Sequence, residues 1–337
     1  MNAIFGKVKL PILVLAAIVL VYGALLLSGS APVATMQDMV TSSLGSAASL
    51  SATLKEVLPL LIAGAAVFFA LKAGLFNIGV EGQFTVGALG CAVVALQVPG
   101  PLGIVLGIVV GSLIGGLWAL PAGLIKAYKG GHEVITTIML NNIAALWTTA
   151  LVSGPFRDPQ DQSPTTRVIS DATKLPLLKF GAFEVSSGMI LALLMVFAIW
   201  FWLKKTVAGY ELQAVGANPT AAQFAGVDPR RVIVKAMFWS GAMGGLGGAI
   251  QVLALQFRFY PSISSGYGFD ALGVAMLAGV SSIGLVPAAL LFGALTRGGN
   301  QVAILDGVPK GITGILLGIL IIVAAAVRYR KAGTASA

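Results

Sequence analysis

Charge, cysteine and histidine are all scarce in this sequence. Only 10% of its 337 residues are charged, against about 25% in soluble domains. Apolar residues make up 57% of the chain and come in long blocks, a pattern that excludes a water-soluble fold. One cysteine, Cys91, rules out an internal disulfide, and with the single histidine, His132, it leaves no plausible zinc cluster. The pair His132-Glu133 is not a metalloprotease motif, because Thr136 stands where the second histidine is needed. No metal site, catalytic residue or cofactor is therefore expected in the chain. A GxxxxGK(S/T) phosphate loop is also missing, so any energy supply has to come from a partner or an ion gradient.

What the sequence does have is glycine, at 43 residues, and a net charge of +9. Without a collagen period, the glycine surplus fits closely packed membrane helices. The basic residues flank apolar blocks and form no basic face with interleaved aromatics, which argues against a nucleic-acid partner and for membrane orientation. Lys7 and Lys9 precede an apolar run from Leu10 to Leu27, much like a secretory signal. That run exceeds the usual h-region of about 7–15 residues, so it reads as an uncleaved first span.

Runs long enough to cross a bilayer fall at Leu10–Ser28, Val57–Ala73, Phe84–Val98, Leu102–Lys126, Val134–Val152, Met189–Leu203, Ala236–Leu255, Phe269–Ile283, Leu285–Ile304 and Gly311–Val327. A polar stretch lies between the first run and Glu56. The expected fold class is thus an all-α polytopic membrane protein with about ten transmembrane helices, forming a single domain over 1–337. With the start inside, Lys72, Lys126, Lys129, Lys204, Lys205, Arg230, Arg231, Lys235, Arg328, Arg330 and Lys331 collect on the inner side. The 153–185 loop falls outside, and its Arg157, Arg167, Lys174 and Lys179 are matched by Asp158, Asp161, Asp171 and Glu184. The positive-inside rule then predicts that both termini are cytoplasmic. Gly103, Gly107, Gly111 and Gly115 recur every four residues, and Gly241, Gly245, Gly244 and Gly248 repeat the device. Both stripes predict close helix packing.

Three segments carry the functional signal. In the first, GLFNIGVEGQF from Gly74 to Phe84, three glycines with Asn77, Glu81 and Gln83 suggest a helix broken at membrane depth. Such a break is tolerated only where protein or a water-lined path satisfies the backbone. The alternative is an inner-face loop with Glu81 paired to a lysine such as Lys72. In the second segment, Gly130 to Ala144, Glu133, Thr137 and Asn141 share one helical face, with Thr136 and Asn142 close by. These groups must face protein or water, so solute contact and helix–helix hydrogen bonding both fit. In the third, Ala214 to Arg231, Asn218 suits an N-cap, Pro219 the first helical position and Gly226 the stop. A short helix there, exposing Phe224, suits either a groove on a cytoplasmic protein or the inner membrane face. Arg258 and Tyr260, near the outer end of the seventh span, fit contact with an outer partner or with the lipid interface.

On the wording GLFNIGVEGQ and HEVITTIMLN, the chain resembles the membrane subunits of bacterial ABC importers of the branched-chain amino acid, ribose and nucleoside type. The likeness is strongest to the longer permease of nucleoside importers, and it extends over nearly the whole chain. The resemblance implies a type II-like permease fold with broken helices, half of a translocation path for nucleosides, ribose-like sugars or purines, and a place in the bacterial plasma membrane. It also implies a second permease subunit in a heterodimer, a cytoplasmic ATPase that binds ATP and Mg, and an extracytoplasmic binding lipoprotein. Asn77, Glu81, Gln83, Glu133, Thr136, Thr137, Asn141 and Asn142 would belong to the substrate path. Gly216, Asn218, Pro219, Ala221, Ala222, Phe224, Gly226 and Val227, within the 204–234 loop, would couple to the ATPase. An ion-coupled secondary transporter is the rival reading; it needs acids at mid-membrane, and apart from Glu81 and Glu133 the candidates Asp270 and Asp306 fall near span ends.

Overall fold

The computed structural model describes residues 19, 22–23, 25–305, 307–309, 311–312, 314–315 and 317–319. The first and last expected spans lie largely outside them. In chain order the helices are α1 (Pro32–Leu44), α2 (Ala47–Lys72), α3 (Val80–Gln97), α4 (Pro101–Lys129), α5 (Glu133–Ser153), α6 (Gly188–Lys205), α7 (Val207–Ala217), α8 (Pro219–Phe224), α9 (Pro229–Ile250), α10 (Tyr267–Ala278) and α11 (Leu285–Leu305). A hairpin of β1 (Leu177–Phe180) and β2 (Phe183–Ser186) precedes α6. Among the described residues seven helices are long and apolar enough to cross a membrane, one of them Pro229–Gln256, which runs from α9 through a π-helical end. The protein is a polytopic all-α membrane protein.

Three boundaries differ from the sequence reading. The polar stretch before Glu56 is helical: α1 buries Pro32, Thr35, Met39 and Ser43 at helical spacing, and Ser43 Oγ returns its hydrogen bond to Met39 O at 2.7 Å. α2 starts at Ala47 instead of Val57 because Ser46 Oγ caps it, accepting from Ser49 N at 3.0 Å. The eighth expected span is shorter than Phe269–Ile283: α10 has 12 residues, about 18 Å of helix, less than the roughly 30 Å hydrocarbon core.

The chain forms two compact units, one of residues 58–178 and 185–272, the other of 1–57, 179–184 and 273–337. In the smaller, α11 packs on α1, with bare Gly298 against the Met39 carbonyl. In the larger, α3, α4 and α9 form the centre. Their contact is a backbone seam: Gly103, Gly107, Gly111 and Gly115 are all buried on α4, and Gly111 and Gly115 lie against Gly241 and Gly245 of α9. Both glycine stripes are thus packing surfaces. α4, α5 and α6 turn outward faces that carry Leu106, Leu113, Ile143, Leu146, Leu194 and Phe197, as lipid-facing helices do.

The segment after α5 is tied to the far end of the α9 span. Thr166 N donates to Phe259 O at 3.0 Å and Ile169 N to Phe257 O at 2.8 Å, while Arg258 Nη1 meets Asp161 Oδ2 at 2.9 Å. Arg258, a candidate for an outer partner, is therefore occupied by its own chain. The Ser163 N–H, and after it Arg258 and Thr165, hold the Asp161 carboxyl below its ordinary value of 3.8. A depressed folded-state value means that the contribution is present above pH 3.8 and lost as pH falls through the lower, folded value. Protease resistance of residues 154–176 is expected to hold from pH 7 to pH 5 and to weaken below about pH 4. Asp161→Asn should remove that pH dependence in a limited-proteolysis series.

Candidate functional site

The helix break between α2 and α3 spans Ala73–Gly79, so Glu81 and Gln83 stand on the first turn of α3. Gly74 at φ +73° lets the chain leave α2. Asn77 is fully buried and uses its whole amide. Its Nδ2 donates to Gln83 Oε1 at 2.9 Å and to Ser240 Oγ at 2.8 Å, and its Oδ1 accepts from Gly79 N at 3.0 Å and Gln83 Nε2 at 3.1 Å. Ser240 passes the chain on to Ala66 O at 2.7 Å. Since Ser240 stands eleven residues into α9, about 16 Å along its axis, the break is fastened within the helical layer. Buried amides with every group satisfied fix one geometry.

α5 fastens the same break from the other side. Asn141 Oδ1 accepts from Gly82 N at 2.8 Å, and its Nδ2 donates to Ile78 O at 3.0 Å. Thr137, also fully buried, lies against Gly79, where a Cβ would come within 3.0 Å of it. At the mouth of α5, Glu133 pairs with Lys126 Nζ at 2.9 Å and faces the Phe76 N–H at 3.5 Å. Glu81 does not rely on a lysine. Its carboxylate accepts from Ser264 Oγ, from Gly266 N at 3.3 Å and from Gly268 N at 2.8 Å, so it sits on the free N–H groups that open α10. A Cβ at Gly268 would lie 2.3 Å from Glu81 N, which explains glycine there.

Six of the eight candidate path residues thus meet around the break: Asn77, Glu81, Gln83, Glu133, Thr137 and Asn141. Two do not. Thr136 returns its hydroxyl to His132 O and Glu133 O, and Asn142 is exposed with its amide on Ile138 O at 3.3 Å. The helical turn of 100° per residue carries both off the buried stripe. Sequence reading missed Ser240, Ser264, Gly266 and Gly268, whose partners lie more than 150 residues away. It also passed over Thr296, Arg297, Asn300 and Gln301 inside α11, where Arg297 Nε is buried without a hydrogen-bond partner among the described residues. The signal was available, since an arginine in an apolar run is rarely idle.

Removing the Asn77 side chain strands Gln83, the Gly79 N–H and Ser240 at once. Each buried group left unpaired costs about 1–3 kcal/mol. Asn77→Ala is therefore expected to lower the thermal midpoint in detergent and to cut transport, whereas Asn142→Ala, on the exposed side, should leave the midpoint unchanged. A thermal-shift comparison of the two variants checks this.

The short third segment folds as its capping residues dictate. Asn218 Oδ1 accepts from Ala221 N at 3.0 Å, Pro219 opens α8, and Gly226 at φ +85° ends it. Gly226 N donates to Gln223 O and Val227 N to Ala222 O, each at 3.0 Å, the hydrogen-bond pair of a Schellman stop. Ala222 is buried and Ala221 is exposed, and Phe224 is 90% exposed. At the root of α8, Gly216 touches the end of α2: a Cβ there would lie 2.2 Å from Lys72 O and 2.9 Å from Gly74 N. The coupling candidate and the helix break are therefore in backbone contact.

The family model for the branched-chain amino acid transport system, permease component, matches residues 49–325. A guanosine ABC transporter permease protein of Bacillus subtilis is 37% identical over 284 residues, covering 80% of this chain and 79% of its own. A nucleoside ABC transporter permease protein of Lactococcus lactis is 32% identical over 337 residues, covering 95% and 91%. A glucose ABC transporter permease protein of Haloferax volcanii is 32% identical, covering 93% and 85%. Both bacteria also hold a second, more distant relative named for the same solute, at 28% and 26% identity. The buried, glycine-seamed bundle, its broken helix and this match over most of the sequence lead to one conclusion: the chain belongs to the permease-component family of branched-chain amino acid type transport systems, as a membrane-spanning transport subunit.

Proposed function

We propose that the protein is one permease subunit of an ATP-driven importer of nucleosides in the bacterial plasma membrane. The observation that carries this is the similarity to a nucleoside permease over 95% of the chain. The amides around the break support it, since Asn77, Gln83 and Asn141 offer uncharged donors and acceptors suited to a neutral, hydroxyl-rich solute. In this structure Asn77 and Gln83 are spent on one another and Asn141 on the backbone of Ile78 and Gly82, so their role is a gate: opening the break frees these groups to face the solute, with Glu81, Glu133 and Thr137 beside them and Thr136 and Asn142 toward the outer face of α5. The cationic ends of α2, α4, α6 and α9 support an orientation with the α7–α8 segment and both termini on the cytoplasmic side and residues 153–185 outside.

Energy then enters through α8. A cytoplasmic ATPase, carrying ATP and Mg, docks on the exposed Ala221–Phe224 surface, and the Gly216 contact passes its closure to the break. A second, non-identical permease completes the path, and an extracytoplasmic lipoprotein delivers the solute. The test is reconstitution of the full complex in liposomes with guanosine, uridine and ribose as solutes. Nucleoside uptake that needs both ATP and the lipoprotein is expected. Uptake driven by a proton or sodium gradient without ATP, or uptake of ribose in place of nucleosides, overturns the proposal.

A further inference from the structure

Two open clefts of unlike character adjoin at the end of α6. The first, about 400 Å³, is walled by apolar side chains, among them Phe69, Met195, Ile199 and Met243. The second, about 520 Å³, holds the charges Glu211, Asp228, Arg231 and Lys235. Trp202 and Trp239 line both, and Trp202 stands two and three residues before Lys204 and Lys205. Tryptophan beside lysine marks the depth at which a membrane turns from hydrocarbon to headgroup. An apolar cleft at that depth meets acyl chains by default; the charges next to it make this one selective.

Two of the four charges are already committed. Asp228 caps α9 through Arg230 N at 3.0 Å and pairs with Arg231 Nε at 3.1 Å. Glu211 and Lys235 remain, and among the described residues neither forms an ion pair. One free cation and one free carboxylate in a shared cleft complement a zwitterion that carries a phosphate and a hydrogen-bonding ammonium. We infer that the two clefts together bind a glycerophospholipid with an ethanolamine headgroup. An acyl chain lies in the apolar cleft, the phosphate rests on Lys235, and the primary ammonium donates to Glu211. A glycerol headgroup leaves Glu211 facing a net anion, and a choline headgroup cannot donate a hydrogen bond. Gly226, Val227 and Asp228 line the charged cleft, so the lipid touches the chain that leaves α8. Only its assignment to the cytoplasmic leaflet rests on the proposed orientation.

The experiment is native mass spectrometry of the purified transporter complex, incubated with equal amounts of ethanolamine, glycerol and choline phospholipids that have identical acyl chains. Retention of the ethanolamine lipid about fivefold above the other two is expected, the factor that corresponds to about 1 kcal/mol for one charge contact. Lys235→Gln should lower retention of all three lipids, because the phosphate is common to them. Glu211→Gln should abolish the ethanolamine preference, lowering retention of the ethanolamine lipid and raising that of the glycerol lipid, which no longer faces a carboxylate. Met195→Trp, which fills the apolar cleft, should reduce all three. Lys235 is exposed and Glu211 half-buried at the cleft, neither packed in the core, so the first two variants keep the fold, and monodisperse elution verifies it. Equal retention of ethanolamine and choline lipids, a preference for the glycerol lipid, or an ethanolamine preference that survives Glu211→Gln overturns the inference. None of these readouts uses ATP or solute, so failure of the importer proposal would leave them unaffected.

Discussion

Gly248→Ala is expected to prevent the protein from reaching a folded, monodisperse state, although it adds a single methyl group. That carbon would lie 1.9 Å from Phe84 O and 2.7 Å from Ala88 N. Both obstacles are backbone atoms of α3, so no side-chain rotation relieves them; only separation of α3 from α9 does. The same helix meets α4 through Gly241 and Gly245, where added carbons would lie 2.5 Å from Gly115 O and 2.2 Å from Gly111 O. α9 is thus wedged between two backbones and cannot retreat from one without striking the other. Overpacking in a yielding core costs about 1–3 kcal/mol, and this site should exceed that range. Gly244→Ala is the control, because its new carbon would come no closer than 3.2 Å to any neighbour, Gln83 Cβ, a contact that a movement of a few tenths of an ångström relieves. Size-exclusion profiles and thermal midpoints of the two variants in one detergent should differ sharply. A monodisperse Gly248→Ala protein with an unchanged midpoint would show that the helices are not seated this closely.

The seam also shows what the sequence could and could not convey. The four-residue glycine period on α4 identified a packing face, because helical periodicity is a local property. It did not identify α3 and α9 as the partners, because that depends on tertiary arrangement. The break at Gly74–Gly79 was legible from its glycines and amides, whereas the partners of Asn77 and Glu81, Ser240 and Ser264, come from distant segments with no local mark. α8 was the most legible element, since Asn218, Pro219 and Gly226 each act within a few residues of themselves. α1 was hidden for the opposite reason: its buried face is half polar, with Thr35 and Ser43, and hydropathy alone does not distinguish such a face from a loop. Asn142 shows the limit of spacing, since one residue beyond Asn141 is a third of a turn, enough to separate a buried amide from an exposed one.

The largest functional effect is expected at the proposed ATPase-docking surface of α8, and two substitutions should separate docking from transmission. Phe224 is 90% exposed and contributes almost nothing to packing within this chain, so Phe224→Glu should leave the amount of protein in the membrane and its thermal midpoint unchanged. A central aromatic anchor in an interface is worth about 2 kcal/mol or more, roughly a thirtyfold loss of affinity. The ATPase should therefore fail to co-purify with this variant, and uptake should fall more than about tenfold. Gly216→Ala acts at the other end of the lever. Its added carbon would press on Lys72 O and push the root of α8 away from the end of α2, while the exposed docking face stays intact. The ATPase should co-purify normally and hydrolyse ATP, yet uptake and the stimulation of hydrolysis by the binding lipoprotein should both be lost. If Phe224→Glu retains its ATPase, docking lies elsewhere in the 204–234 loop. If Gly216→Ala transports normally, the contact between Gly216 and Gly74 is only packing, and force must reach the break another way, for which α9 and the Ser240–Asn77 hydrogen bond offer a direct tie.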